Sequence, residues 1–148
     1  IARMKLIAIE DIIAGHKLVV CEDSIVRGTQ LKNLTLKKLW DAEAAEVHIR
    51  VACPPLMFPC RYSLSTRTTG ELAARRAINA LENGPAEDVS PYLDPSSEKH
   101  AEMVEWIRRD IGCTSLIYLT MQEVIEAIGL PACKLCTHCW TGGGNGKQ

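Results

Sequence analysis

The sequence predicts an α/β fold built on a parallel sheet, and two stretches predict it. Residues 16 to 53 read as strand, helix, strand, which is the crossover unit of a parallel sheet. Residues 98 to 119 repeat the second half of that pattern, an amphipathic helix followed by an apolar strand.

The first strand is expected from His16 to Asp23. Leu18, Val19, Val20 and Cys21 form a continuous apolar run of the kind buried on both faces of a parallel sheet, and it ends abruptly in Glu22 and Asp23. From Gln30 to Ala45 the apolar residues Leu31, Leu34, Leu39 and Trp40 recur near helical spacing with lysines between them, which predicts an amphipathic helix. Val47, Ile49 and Val51 then alternate with His48 and Arg50 in a second strand over Glu46 to Cys53, stopped by Pro54 and Pro55. After a turn-rich segment, Thr68 and Glu71 have the spacing of a capping box, opening a helix expected to close at Gly84. Residues 84 to 97 are polar and read as a surface loop. Glu98 to Ile111 is a helix stopped by Gly112, Ser115 to Leu119 a strand, and Thr120 with Glu123 caps the last helix. The Gly-rich end, Thr141 to Gln148, reads as a mobile tail.

At 148 residues and 47% apolar content the chain has the size and core material of one domain. Its formal charge of -1 supplies no basic field, so nucleic acid and anionic membrane surfaces are not expected partners. The sequence has no apolar run long enough to cross a bilayer and no signal-peptide pattern, and a cytoplasmic location is expected. The seven cysteines are a poor disulfide framework. Cys133, Cys136 and Cys139 in CKLCTHC have instead the spacing of metal or cluster ligands. Cys21, Cys53 and Cys113, in or beside apolar strands, are expected in the core, and His16, His48, His100 and His138 read as ordinary structural histidines.

The stretch Glu22 to Gln30, EDSIVRGTQ, carries the chemistry. Ligands of open parallel sheets collect at the carboxyl ends of strands, where loops lead into helix N-termini. Gly28 permits a turn with inward N–H groups, and Ser24 and Thr29 add hydroxyls, so the loop suits a phosphate. Two carboxylates beside it would repel a bare phosphate. The matching ligand carries an anion at one end and hydroxyls, or a divalent metal, at the other; a phosphorylated sugar qualifies.

With these residues in view, EDSIVRGT resembles the phosphoribosyl pyrophosphate (PRPP) motif of type I phosphoribosyltransferases, and its wording is most similar to the glutamine PRPP amidotransferases. EVHIRVACPPLMFPCRYSLST, ELAARRAI and CTHCWTG are similar to the same family, so the resemblance runs from about Met4 to Gly142. It implies a partial type I phosphoribosyltransferase fold over residues 1–130 with a cysteine-rich tail over 131–148. It also implies that the family's N-terminal glutaminase domain has no counterpart here and is an expected partner, along with PRPP, nucleotide-like molecules and further copies of the chain.

The implied reaction replaces the pyrophosphate of PRPP by glutamine-derived ammonia to give phosphoribosylamine in de novo purine synthesis. Glu22 and Asp23 would hold the ribose hydroxyls and magnesium, while Ser24, Ile25, Val26, Arg27, Gly28, Thr29 and Gln30 anchor the 5-phosphate. In the cluster-containing branch, a [4Fe-4S] cluster would be held by Cys60, Cys136 and Cys139, with Cys133 as a possible further ligand and zinc as the alternative metal. The sequence departs from the family at Gln30, usually Thr, at Glu22, more commonly Asp, and at Cys53, normally Ser. Two other classes compete: a PRPP-sensing regulatory protein, which would lack the cysteine tail, and a salvage phosphoribosyltransferase, which would lack PPLMFPC with the CxxC. A small zinc-binding interaction module would leave EDSIVRGT unexplained.

Overall fold

The structure is a computed structural model, and it describes residues 7–62, 66 and 68–143. The predicted tail falls partly outside these residues, as do Ser63, Leu64, Ser65 and the first six positions.

Three parallel strands form the sheet: β1 (Lys17–Glu22), β2 (Glu46–Val51) and β3 (Ser115–Tyr118), in the spatial order β1-β2-β3. Helix α1 (Glu10–Ile13), a single turn not foreseen from the sequence, precedes β1. Helix α2 leads from β1 to β2; it runs with wide π-type bonding over Leu31–Leu36 and as a regular α-helix over Lys37–Asp41. Helices α3 (Ala73–Leu81) and α4 (Glu98–Ile111) lie between β2 and β3. After β3 come α5 (Met121–Ile128) and the short α6 (His138–Thr141).

Strand alternation sorts the sheet into two unlike faces. Val47, Ile49, Val51 and Leu116 are buried, in one core with Leu31, Leu36 and Leu39 of α2, Ala74, Ala77 and Ile78 of α3, and Met103, Ile107 and Ile111 of α4. Consecutive right-handed crossovers advancing in one direction put their helices on one side of a sheet, which accounts for this layer. The opposite face is open among the described residues. Val19 is 64% and Ile117 53% exposed, and Cys21 is exposed as well.

That openness corrects the reading of β1 as a fully buried strand and of Cys21 as a core thiol: Val19 and Cys21 fall on the face left uncovered among the described residues. Cys53 and Cys113 are buried as expected. On the same open face His48 is held between Glu46 Oε2 and Ser115 Oγ, each at 2.8 Å. Arg50 reaches the same hydroxyl at 3.0 Å. His16, His100 and His138 each donate Nδ1 to a backbone carbonyl, of Ala14, Tyr92 and Gly142 respectively.

The caps follow the sequence except at the two ends of α3. Thr120 and Glu123 form the expected box, Ser97 caps α4 by accepting from the His100 N–H, and Gly112 closes α4 in a left-handed conformation. Thr68 and Glu71 also pair as a box, but they open a 3-10 turn, Thr69–Glu71, after which Leu72 is extended and α3 begins anew. Helix α3 ends before Gly84, at Glu82 and Asn83, and Asn83 takes the positive φ (57°) that the sequence suggested for the glycine. Asparagine tolerates this region better than most residues.

Candidate functional site

Strand β1 stops at Glu22, and the chain turns through residues 23 to 30 into α2. All nine predicted residues, Glu22 to Gln30, line one cavity of about 370 Å³, joined by Leu31 and Thr35. That volume suits a small organic ligand. Leu31 and Thr35 were not anticipated. Their spacing of four places both on one side of α2's first turns, in the π-type stretch, a geometry often found at functional sites.

The loop is built so that its carbonyls face the scaffold. The Val26 carbonyl accepts from Ala73 N–H at 2.8 Å, the Arg27 carbonyl from Arg76 Nη1 at 3.1 Å, and the Gly28 carbonyl from Lys32 N–H at 2.9 Å. A trans peptide points its N–H opposite to its carbonyl. These three bonds therefore turn the N–H groups of Arg27, Gly28 and Thr29 away from the scaffold. Among the described residues the Gly28 and Thr29 N–H groups donate to no carbonyl in a turn or loop. Successive N–H groups turned the same way form an anion-binding concavity.

Gly28 sits at φ 74°, and a Cβ there would lie 3.2 Å from Ile111 Cγ2 and 3.6 Å from Ile25 Cγ2. Both the torsion and the close approach to α4 favour glycine. Gly28→Ala is accordingly expected to lower stability by about 1–2 kcal/mol and to weaken anion binding with it. Urea unfolding paired with phosphate titration checks this; an alanine variant equal to wild type in both contradicts it.

The Arg27 guanidinium bonds Glu71, Nε to Oε2 at 2.8 Å, which ties the loop to the 3-10 turn before α3 while Arg27 lines the cavity. Glu71 serves twice, since Oε1 also accepts from Thr68 N–H at 3.1 Å. Ile25, 4% exposed, anchors the loop in the core, while Asp23, Thr29 and Gln30 are exposed.

Glu22 is half-buried, and its pKa is raised first by burial and then by the adjacent Asp23 charge. Excess negative charge at this spot favours a cation or hydroxyl donors. Two carboxylates suffice for magnesium, which keeps waters and substrate phosphates as its other ligands. No group of three or more metal-binding side chains gathers among the described residues.

Behind the acids the C-terminal segment comes close. Cys53 lies within electrostatic reach of Asp23 and in contact with Trp140; burial, the largest influence, pushes its thiol up to about 11. Trp140 Nε1 is buried without a well-formed hydrogen bond, so the sulfur is at most a weak acceptor for it. The backbone latch is firmer: Met57 and Phe58 N–H groups both donate to the Cys139 carbonyl, at 2.8 and 3.0 Å. It accompanies the approach of Cys139 to Cys60. Cys139 is pushed up to about 11, first by burial, then by a hydrogen bond with Cys60, by the Cys60 charge and by that of Cys136. Cys133 is exposed on the 3-10 turn Ala132–Lys134 and is not among these influences. In donor chemistry Cys60, Cys136 and Cys139 fit a thiophilic metal, yet they do not gather at ligand spacing as a complete set.

No protein-family model matches the chain. It is 36% identical over 140 residues to the amidophosphoribosyltransferase of Mycobacterium tuberculosis, covering 95% of this chain and 23% of that protein. The amidophosphoribosyltransferase of Synechococcus elongatus is 36% identical over 141 residues, with the same coverage of 95% and 23%. Among solved structures, the glutamine PRPP amidotransferase of B. subtilis complexed with ADP and GMP superposes with a TM-score of 0.66 at 30% identity, over 93% of this chain and 25% of that one. A structure described as the allosteric regulatory enzyme of purine biosynthesis gives 0.67 at 29% identity. The chain thus spans about a quarter of the length of the relatives it matches. Its fold, a parallel sheet with flanking helices, is that of part of the phosphoribosyltransferase domain in these structures.

Proposed function

We propose that this chain is the PRPP-binding portion of an amidophosphoribosyltransferase, the enzyme that joins ammonia from glutamine to PRPP at the start of purine synthesis. The observation that carries this reading is the cavity itself, whose lining runs from the Glu22–Asp23 pair at one end of the stretch to the Gly28 turn and the start of α2 at the other. A sugar bearing a phosphate and vicinal hydroxyls matches both ends; an anion alone matches only one. Amidophosphoribosyltransferases are similar over nearly the whole chain, which supports the same reading.

The loop N–H groups and the Ser24 and Thr29 hydroxyls hold the 5-phosphate, aided by the positive end of α2. Glu22 and Asp23 accept from the ribose hydroxyls in charge-assisted bonds worth about 1.5 to 3 kcal/mol each. They would also hold magnesium, which when bound would supply positive charge for a pyrophosphate leaving group. The chain's own contribution to the reaction is positioning and electrostatic stabilisation around C1. Cys60, Cys136 and Cys139 would hold a [4Fe-4S] cluster or zinc, whose role is to pin the C-terminal segment to the PPLMFPC turn.

Calorimetric titration of PRPP in magnesium tests the proposal, and saturable binding is expected. Binding should weaken as the pH falls, because a raised Glu22 pKa means that this acid takes up its proton at a higher pH than an ordinary carboxylate, and the ligand requires it charged. The sign for folding is the reverse. A raised folded-state pKa stabilises below the ordinary carboxylate value, and that contribution is lost as the pH rises through the folded-state value. Absence of PRPP binding at neutral pH would refute the assignment.

A further inference from the structure

Of the three carbonyl anchors behind the loop, two are backbone N–H groups, of Ala73 and Lys32, and one is a side chain, Arg76. We infer that Arg76, braced by Asp110, is a positioning residue for the phosphate site: it fixes the Arg27–Gly28 peptide so that the Gly28 N–H is presented to the ligand's phosphate. The inference rests on the proposed phosphate-binding role of the loop and assigns a residue outside the motif to it.

Arg76 lies on α3, and its fork spans two elements. Nη1 donates to the Arg27 carbonyl at 3.1 Å, and Nη2 donates to Asp110 Oδ2 of α4 at 2.9 Å. Asp110 is itself held from the other side, its Oδ1 accepting from Lys32 Nζ of α2 at 2.9 Å. Loop, α2, α3 and α4 thus meet at one carboxylate and one guanidinium.

The chemistry requires arginine in particular. A planar guanidinium offers donors in a fixed fork, so it can satisfy a carboxylate and a carbonyl at the same moment in one geometry. Because the peptide is planar, holding its carbonyl fixes its N–H to the opposite side, with no further contact to that N–H. Gly28, with φ 74° and no Cβ, has a backbone soft enough to rotate if the carbonyl is released. Burial leaves the pair about one-third exposed, 34% for the Arg76 side chain and 26% for Asp110, so its value as an isolated ion pair is small. Its consequence is directional.

The test compares wild type with Arg76→Lys and Arg76→Ala, titrating ribose 5-phosphate and, separately, inorganic phosphate by calorimetry. The Gly28 amide resonance is followed by NMR, and Tm is measured for each variant. In wild type the Gly28 amide should shift downfield on binding either probe. Arg76→Lys keeps the charge opposite Asp110 but cannot reach both acceptors, so Tm should stay near wild type while affinity for both probes falls about tenfold and the Gly28 shift is lost. Arg76→Ala should lose as much affinity, with some loss of Tm. If lysine restores affinity and the Gly28 shift along with Tm, Arg76 is only a structural link and the inference is overturned. Should Arg76→Ala fail to fold, the lysine variant decides alone. Wild type binding neither probe would refute the phosphate assignment of the loop, an outcome distinct from wild type binding and both variants binding equally well.

Discussion

Neutralising Asp23 is expected to change the two ends of the ligand in opposite directions. Asp23→Asn should weaken binding of magnesium PRPP by about tenfold or more, since one charge-assisted contact worth over about 1.4 kcal/mol is removed. The same variant should bind inorganic phosphate, without magnesium, more tightly than wild type, because one of two repelling carboxylates has gone. It should also fold at least as well. Asp23 is exposed, and its charge raises the Glu22 pKa, so its loss lets Glu22 ionise more readily. Combining it with Glu22→Gln should deepen the loss for magnesium PRPP, though by less than the product of the two, since adjacent carboxylates sharing one ligand are not independent. Titrations of both ligands into the three variants read all of this. Equal affinities of wild type and Asp23→Asn for magnesium PRPP would remove Asp23 from the site.

The cavity lining was legible because its residues are consecutive. Nine consecutive residues, Glu22 to Gln30, line one cavity, and a strand end, a glycine and a helix start place them there with little help from distant sequence. What surrounds them was not legible. Arg76 and Asp110 are 34 residues apart and read as ordinary helix-surface charges until α3 packs on α4. Glu71 was recognised as a capping residue, but nothing near it announces that its second oxygen takes Arg27. The apolar run Leu18 to Cys21 suggested burial on both faces, whereas the layers packed on the sheet decide that, and among the described residues one face of the sheet is left open. Gly84 lost the helix-ending role to Asn83 for a similar reason: both residues tolerate positive φ, so sequence alone leaves a one-residue ambiguity. For the cysteines, spacing pointed to Cys133, Cys136 and Cys139. The approach of Cys139 to Cys60 depends on the Cys139 carbonyl meeting Met57 and Phe58, a long-range contact without a local signal.

That contact can be broken at one atom. Gly142 closes α6 at φ 72°, and a Cβ there would fall 2.7 Å from Phe58 Cζ and 2.8 Å from Cε2. An alanine carries a torsional cost of about 1–2 kcal/mol, and the ring must also be displaced. The ring belongs to the residue whose N–H grips Cys139, so moving it loosens the latch itself. Gly142→Ala should therefore lift the C-terminal turn from the PPLMFPC segment while leaving the sheet intact. Cys139 reports the event directly. In the latched state burial pushes its thiol up to about 11, which suppresses the reactive thiolate at neutral pH. Released into water, it returns toward the ordinary thiol range, and its labelling by a disulfide reagent should accelerate by at least about tenfold. Zinc or iron retained after anaerobic reconstitution should fall in parallel, because Cys60 parts from Cys139. Gly143→Ala is the control, for a Cβ there meets only Thr141 Oγ1, at 4.0 Å. If Gly142→Ala labels no faster than Gly143→Ala and holds as much metal, the turn is not what keeps these thiols together.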